Sequence, residues 1–262
     1  MKRSTGVDAD ERDVPERPWD VGVRCTPTPH GRAIHPQKTH RTLAFENIRA
    51  VLYDFDGTLA DSTELIMRCY RHTMTTHLGE CPPDEEWLSG FGTPLETQIA
   101  RFARHDDEAA AMLETYRALQ REVHDEMLRP FPGAAETVAE LSRRGVGLAI
   151  VTSKHRRAAL RGMELCGITS HFDVIVTPED VTHAKPHPEP VLAALEQLGV
   201  APEEAVMVGD SPHDLAAGKA AGTRTAAALW GPFPREALEA ARPDALLERQ
   251  EDILAWVLRD GG

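Results

Sequence analysis

An apolar run that stops on two aspartates limits the fold of this chain more than any other stretch. Ile48, Ala50, Val51, Leu52 and Tyr53 form an almost unbroken hydrophobic series, the pattern of a β-strand covered on both faces. The run delivers Asp54 and Asp56 and then, at once, Gly57-Thr58. Side chains alternate along a strand, so the two carboxylates leave it on the same side of the backbone. Like charges that close repel by roughly several kcal/mol at low effective dielectric unless a cation or a proton intervenes. A central strand ending this way builds a metal or acid/base site. Solvated aspartates followed by an ordinary Asp-Gly turn account for the same letters, so the later residues have to decide.

Downstream, helix and strand alternate. Helical periodicity covers residues 134–144, 156–165, 188–198, 212–221, 236–241 and 252–258. Apolar strand runs cover 146–151, 172–177, 205–209 and 223–228, with Ala245-Leu246-Leu247 as an edge strand. This order predicts an α/β fold, a doubly wound parallel sheet of Rossmann-like type with right-handed crossovers. Ligands of such sheets bind outside the carboxyl ends of the strands. Between residues 62 and 130 the pattern is helical throughout and no strand is expected. Helices are predicted over 63–77, 85–89 and, in two pieces parted near His105-Asp106, over 95–128. Gly90-Phe91-Gly92-Thr93-Pro94 reads as a loop between them. The expected organisation is a tail over 1–44, a core over 45–60 and 132–262, and an inserted all-helical cap over 61–131. The tail mixes charges with Pro15, Pro18, Pro27, Pro29 and Pro36 and shows no periodicity, so disorder is expected there. His30, His35 and His40 have no fixed geometry that would make them a metal tract, and Trp19 is a candidate docking anchor.

Bulk properties narrow the function classes. A chain of 262 residues with 41% apolar content can bury a real core. A net charge of −13 speaks against nucleic-acid or anionic-membrane surfaces. It also means that an anionic substrate must be attracted locally. The cysteines Cys25, Cys69, Cys81 and Cys166 form no Cys-x-x-Cys pair and read as free thiols of a reducing compartment. With no apolar span of about 18–20 residues and no signal core, a cytoplasmic location is expected.

Three further stretches carry chemistry. Val151-Thr152-Ser153-Lys154 ends a strand, where a hydroxyl and free helix-start N–H groups can hold phosphate oxygens; helix capping by Ser153 is the plainer alternative. Ala184-Lys185-Pro186-His187 presents a lysine from a stiff loop, and an ammonium suits bridging a carboxylate and a phosphoryl group. His187 reads as a loop residue. Gly209-Asp210-Ser211-Pro212-His213-Asp214 places Asp210 at a strand tip, Ser211 as an N-cap and Asp214 in the first helical turn. Taken in order with Asp54-Phe55-Asp56-Gly57-Thr58-Leu59, these resemble the four signatures of the haloacid dehalogenase superfamily of phosphohydrolases.

The resemblance implies the roles. Asp54 is the nucleophile that forms an aspartyl-phosphate, and Asp56 the general acid/base. Lys185 is catalytic and phosphate-binding, joined in binding by Thr152 and Ser153. Mg2+ is held by Asp54, the backbone carbonyl of Asp56 and Asp210, with Asp214, Gly57 and Thr58 in support. Dehalogenases and phosphonate hydrolases of the superfamily lack an acid at the position of Asp56, so phosphoryl transfer to water is favoured. A sugar-phosphate mutase or a catalytically silent phosphate-binding protein are remote alternatives. Thr63-Glu64-Leu65-Ile66, Phe91-Gly92-Thr93-Pro94-Leu95 and residues 176–181 are similar to the phosphoglycolate phosphatase branch, and within it to bacterial enzymes acting on inorganic pyrophosphate. The implied partner is a small anionic phosphorylated substrate, phosphoglycolate first and pyrophosphate second. The loop with Phe91, Gly92 and Thr93 is expected to close over it and set specificity. The oligomeric state, monomer or dimer, stays open.

Overall fold

The computed structural model describes residues 48–257. The tail with its three histidines, Trp19 and Cys25 lies outside them. The principal sheet has six parallel strands: β1 (Ala50–Tyr53), β4 (Gly147–Val151), β5 (Val174–Val176), β6 (Ala205–Gly209), β7 (Arg224–Ala228) and β8 (Ala245–Leu247). Their spatial order is β5-β4-β1-β6-β7-β8. The described chain therefore enters the sheet in its middle and adds strands outward in both directions. Every residue of β1 and β6 is buried, as two covered faces require. α5 (Ala134–Arg143), α6 (Arg156–Leu165), α7 (Glu189–Leu198) and α8 (Pro212–Ala221) supply the crossovers. Predicted bounds and observed ones differ by one or two residues at several ends, where ladders and helical turns fray. The helix expected over 236–241 runs from Arg235 to Ala240 (α9), and Asp252–Val257 (α10) closes the described chain.

The insert departs from expectation at its two ends. β2 (Ala60–Asp61) pairs antiparallel with β3 (Arg129–Pro130), Ala60 opposite Pro130 and Asp61 opposite Arg129. No strand was expected between residues 62 and 130. Two residues show no alternation, so such a ribbon exists only as a tertiary pairing. Its effect is to bring the outgoing and returning chain side by side. Between them lie α1 (Thr63–Leu78), α2 (Asp84–Leu88), α3 (Leu95–Ala100) and α4 (Asp106–Met127). α1 and α4 pack together, and Trp87 of α2 stacks on Tyr70 of α1 with ring centres 4.7 Å apart. Phe102 and Tyr116 complete this aromatic nucleus, with centres 5.8 and 5.9 Å from that of Trp87. Such rings bury large apolar area in a fixed geometry, which gives the insert a rigid centre of its own. No helix of the described residues is long and apolar enough to cross a membrane, and Cys69, Cys81 and Cys166 are free thiols.

Candidate active site

The carboxyl ends of β1, β4 and β6 adjoin, because β1 pairs with both of the others. Sequence positions 54, 152 and 210 are thereby brought together. Asp54 follows β1 directly, and its N–H donates to the Val208 carbonyl at 2.9 Å. The chain then turns sharply, with Gly57 at φ +81°. A Cβ on Gly57 would stand 2.5 Å from Oδ2 of Asp210, so this position needs glycine for its conformation and for its missing side chain. Thr58 is buried, and its hydroxyl donates to Oδ1 of Asp210 at 2.8 Å. The Thr58 carbonyl accepts from Trp230 Nε1 at 2.9 Å and Gln250 Nε2 at 2.6 Å. Gly231 lies equally close, since a Cβ there would come within 2.3 Å of the Asp210 Cβ. Sequence reading had no signal for Trp230, Gly231 or Gln250, which lie more than 170 positions from Thr58.

Asp210 is 1% exposed and Asp214 fully buried. Ser211 caps α8, its hydroxyl accepting from Asp214 N while the Asp214 carboxylate takes Ser211 N and Oγ at 3.1 and 2.6 Å. This capping box was legible as Ser-x-x-Asp. The other Asp214 oxygen accepts from Lys185 Nζ at 2.6 Å. Lys185 also donates to the Val151 carbonyl and reaches Asp54 Oδ1, each at 2.9 Å. Asp214 is therefore a fixed anchor for Lys185 rather than an acid merely suited to the helix end. Burial alone would lower the Lys185 ammonium, but Asp214 and Asp54 outweigh it and hold it raised.

Asp54, Asp210 and Asp214 offer carboxylate oxygens within 4.8 Å of one another. Burial is the largest influence raising Asp54, with Asp214 adding to it and Lys185 opposing. Asp210 is raised by burial, then by Asp214 and Asp54. Three buried carboxylates and one ammonium leave negative charge in excess. An oxygen-only donor set of that kind fits a hard divalent cation.

Asp56 behaves differently from Asp54. Lys154, 9% exposed, donates to both Asp56 oxygens at 2.9 Å. The two aspartates that leave one strand are thus separated onto two lysines, which removes the repulsion expected between them. Thr152 is buried and accepts from Lys154 N at 3.1 Å. Helix capping by Ser153 does not hold: His155 is the N-cap of α6, and the Ser153 hydroxyl donates to the Gly92 carbonyl at 2.6 Å. That hydroxyl proton is spent on the insert, and what Ser153 has left to offer an anion is its backbone N–H. The loop with Phe91, Gly92 and Thr93 lies against the core, and a Cβ on Gly92 (φ +86°) would meet Ser211 Oγ at 2.7 Å. Phe91 is 3% exposed, and the Thr93 hydroxyl turns back onto the Gly90 carbonyl at 2.7 Å.

A cavity of about 1200 Å³ opens between insert and core, with Asp54, Asp56, Thr152 and Lys154 on one side and Phe91, Gly92 and Thr93 on the other. A second unforeseen cluster bridges its rim. His155 places Nε2 2.7 Å from Glu96 of α3 and Nδ1 3.0 Å from Glu179. Arg117 of α4 joins through an ion pair with Glu96. The Arg117 guanidinium also stands 3.1 Å from His155 Nε2, so that nitrogen faces a donor as well as the Glu96 acceptor. Burial opposes charge on the ring, yet the hydrogen bonds to Glu96 and Glu179 leave His155 raised.

Comparison with known proteins agrees with this geometry. A family model described as haloacid dehalogenase-like hydrolase matches residues 51–228. A curated relative from Bacillus velezensis, named pyrophosphatase PpaX, is 43% identical over 213 residues, which are 80% of this chain and 96% of the relative. Another of that name from Bacillus cereus is 40% identical over 207 residues, 79% of this chain and 95% of its own. Among solved structures, a haloacid dehalogenase-like family hydrolase from Streptococcus pneumoniae has a TM-score of 0.69 at 28% identity, covering 80% of this chain and 98% of that one. A structure from Haemophilus somnus described as a predicted phosphoglycolate phosphatase has a TM-score of 0.72 at 21% identity over 80% and 97%; at that identity the likeness speaks for the fold alone.

Proposed function

The chain belongs to the haloacid dehalogenase-like hydrolases, and we propose that it is a magnesium-dependent phosphohydrolase acting by way of an aspartyl-phosphate, with inorganic pyrophosphate as its preferred substrate. The observation that carries the chemistry is the convergence of Asp54, Lys185, Asp210 and Asp214 in one buried cluster with Asp56 beside it. The Asp54 and Asp210 carboxylates and the Asp56 backbone carbonyl would hold Mg2+, which supplies charge compensation for the phosphoryl oxygens.

The protein's own residues account for the remaining steps. A carboxylate oxygen of Asp54 attacks phosphorus as the bond to the leaving group breaks, and the electron pair of that bond departs with the leaving oxygen. Lys185, anchored by Asp214 and the Val151 carbonyl, stays beside Asp54 and meets the charge of the transferring group. Thr152 and N–H groups after β4 orient its oxygens. Asp56 gives a proton to the leaving oxygen where one is needed and later takes one from the attacking water, which restores the Asp54 carboxylate.

The order of the two candidate substrates reverses the expectation from sequence, where phosphoglycolate stood first. Support for pyrophosphate comes from relatives of that name at 39–43% identity over nearly their whole length. Phosphoglycolate draws on the resemblance of its sequence stretches and on solved structures of that description at the lower identities of 21–26%. Phosphate release from each substrate, with magnesium and with EDTA, tests both levels. Asp54→Asn is expected to lower release by at least on the order of a thousandfold. Retention of half the activity overturns the mechanism. A tenfold advantage in kcat/KM, about 1.4 kcal/mol, decides the substrate.

A further inference from the structure

Two lysines flank the carboxylates, and they are used differently. Lys185 meets three acceptors, Asp54, Asp214 and the Val151 carbonyl, at 2.9, 2.6 and 2.9 Å. Its three ammonium hydrogens are all engaged. Lys154 is nearly as deeply buried, yet its Nζ meets only Asp56 among the described residues, at 2.9 Å to each oxygen. One ammonium hydrogen is left over. The Asp56 side chain keeps 18% of its surface, and both residues line the cavity in front of Asp54. The ring of Phe55, whose centre lies 5.9 Å from Nζ, backs the pair. A buried cation thus stands beside Asp56, the acid/base of the proposed reaction, and on the cavity wall.

What a leaving group needs there depends on its chemistry. When the Asp54–phosphorus bond forms and the bond to the leaving oxygen breaks, the negative charge that Asp54 surrenders appears on the leaving group. An alcohol can depart only with a proton, which Asp56 supplies. An orthophosphate departs as an anion, and what it lacks is a nearby cation. A preorganised ammonium in a partly enclosed cleft supplies that without reorganisation. Lys185 is not spare for this role, since its hydrogens are already taken on the nucleophile side.

We propose that Lys154 fits this site to an anionic leaving group, its ammonium taking up the charge of the departing phosphate of a diphosphate. The inference rests on the pyrophosphate reading above and names a residue that would enforce it. Lys154 touches Asp56 as well, so its loss lowers turnover of every substrate; the specific claim concerns the difference between leaving groups.

The experiment compares wild type, Lys154→Met and Lys154→Arg with magnesium on pyrophosphate, on phosphoglycolate and on glycerol 2-phosphate, whose leaving group is a neutral alcohol. Circular dichroism and melting curves accompany the kinetics, and Lys154→Arg keeps the charge if the methionine variant folds poorly. Lys154→Met is expected to lower kcat/KM for pyrophosphate at least tenfold more than for glycerol 2-phosphate, and Lys154→Arg to recover most of that difference. Calorimetric binding of methylenebisphosphonate, which does not turn over, is expected to weaken at least fivefold in Lys154→Met. Equal losses on pyrophosphate and glycerol 2-phosphate, or unchanged bisphosphonate binding, overturn the role of Lys154 and leave the substrate standing. A wild type that prefers phosphoglycolate tenfold defeats the substrate reading, and that result is visible without any variant.

Discussion

Replacing Lys185 by methionine keeps most of the side-chain volume and removes the one cation among three buried carboxylates. In the native protein Lys185 lies 2.9 Å from Asp54 and 2.6 Å from Asp214, with both partners almost wholly buried. Removing one member of such a pair leaves uncompensated charge and costs about 3–5 kcal/mol. For a domain of this size each kcal/mol moves the melting point by about 2–4 °C, so a fall of about 6–20 °C is expected without divalent ions. The loss must depend on pH, with a definite sign. Burial holds Asp54 and Asp210 above the ordinary carboxylate range. Protonated carboxyls tolerate burial, so the variant should be least impaired near pH 5 and lose stability as pH rises through the raised values. Adding magnesium should raise the melting point of wild type and variant alike, by mass action on the folded state. Scanning calorimetry at pH 5 and pH 8, with EDTA and with magnesium, reads all of this. A melting point within 2 °C of wild type at pH 8, or a deficit unaffected by pH, would refute the argument that Lys185 is what balances the cluster.

Two other perturbations probe the same architecture. Gly57→Ala places a Cβ 2.5 Å from the Asp210 carboxylate at φ +81°; the left-handed backbone alone costs about 1–2 kcal/mol, and displacement of Asp210 should raise the magnesium concentration needed for half-maximal activity, as a metal titration would show. His155 is raised by its hydrogen bonds to Glu96 and Glu179 against burial. Its contribution to stability should therefore be complete below the ordinary histidine range near pH 6.5 and fade as pH rises through the higher folded value. Its side chain is 41% exposed, so the bridge is worth less than about 1 kcal/mol. His155→Gln should flatten the slope of stability between pH 6 and pH 9 in urea melts, and an unchanged slope would dismiss the bridge.

The sequence alone was enough for the strand–helix alternation, the helical insert and the order of the four signatures, because each rests on local rules. Apolar runs mark buried strands, Ser211 and Asp214 write their capping box within four residues, and Gly57 announces a turn that another residue would strain. What those rules cannot express is who faces whom across the sheet. Asp54 and Asp56 look alike in the sequence, yet Lys185 meets the first and Lys154 the second. Ser153 reads locally as a helix cap, yet its hydroxyl reaches Gly92 of the insert. The β2–β3 ribbon and the Glu96–His155–Glu179 bridge join segments dozens of residues apart. Periodicity and capping are fixed by neighbours within a few residues, whereas the pairing of buried charges is fixed by which strands lie side by side, and only the folded sheet decides that.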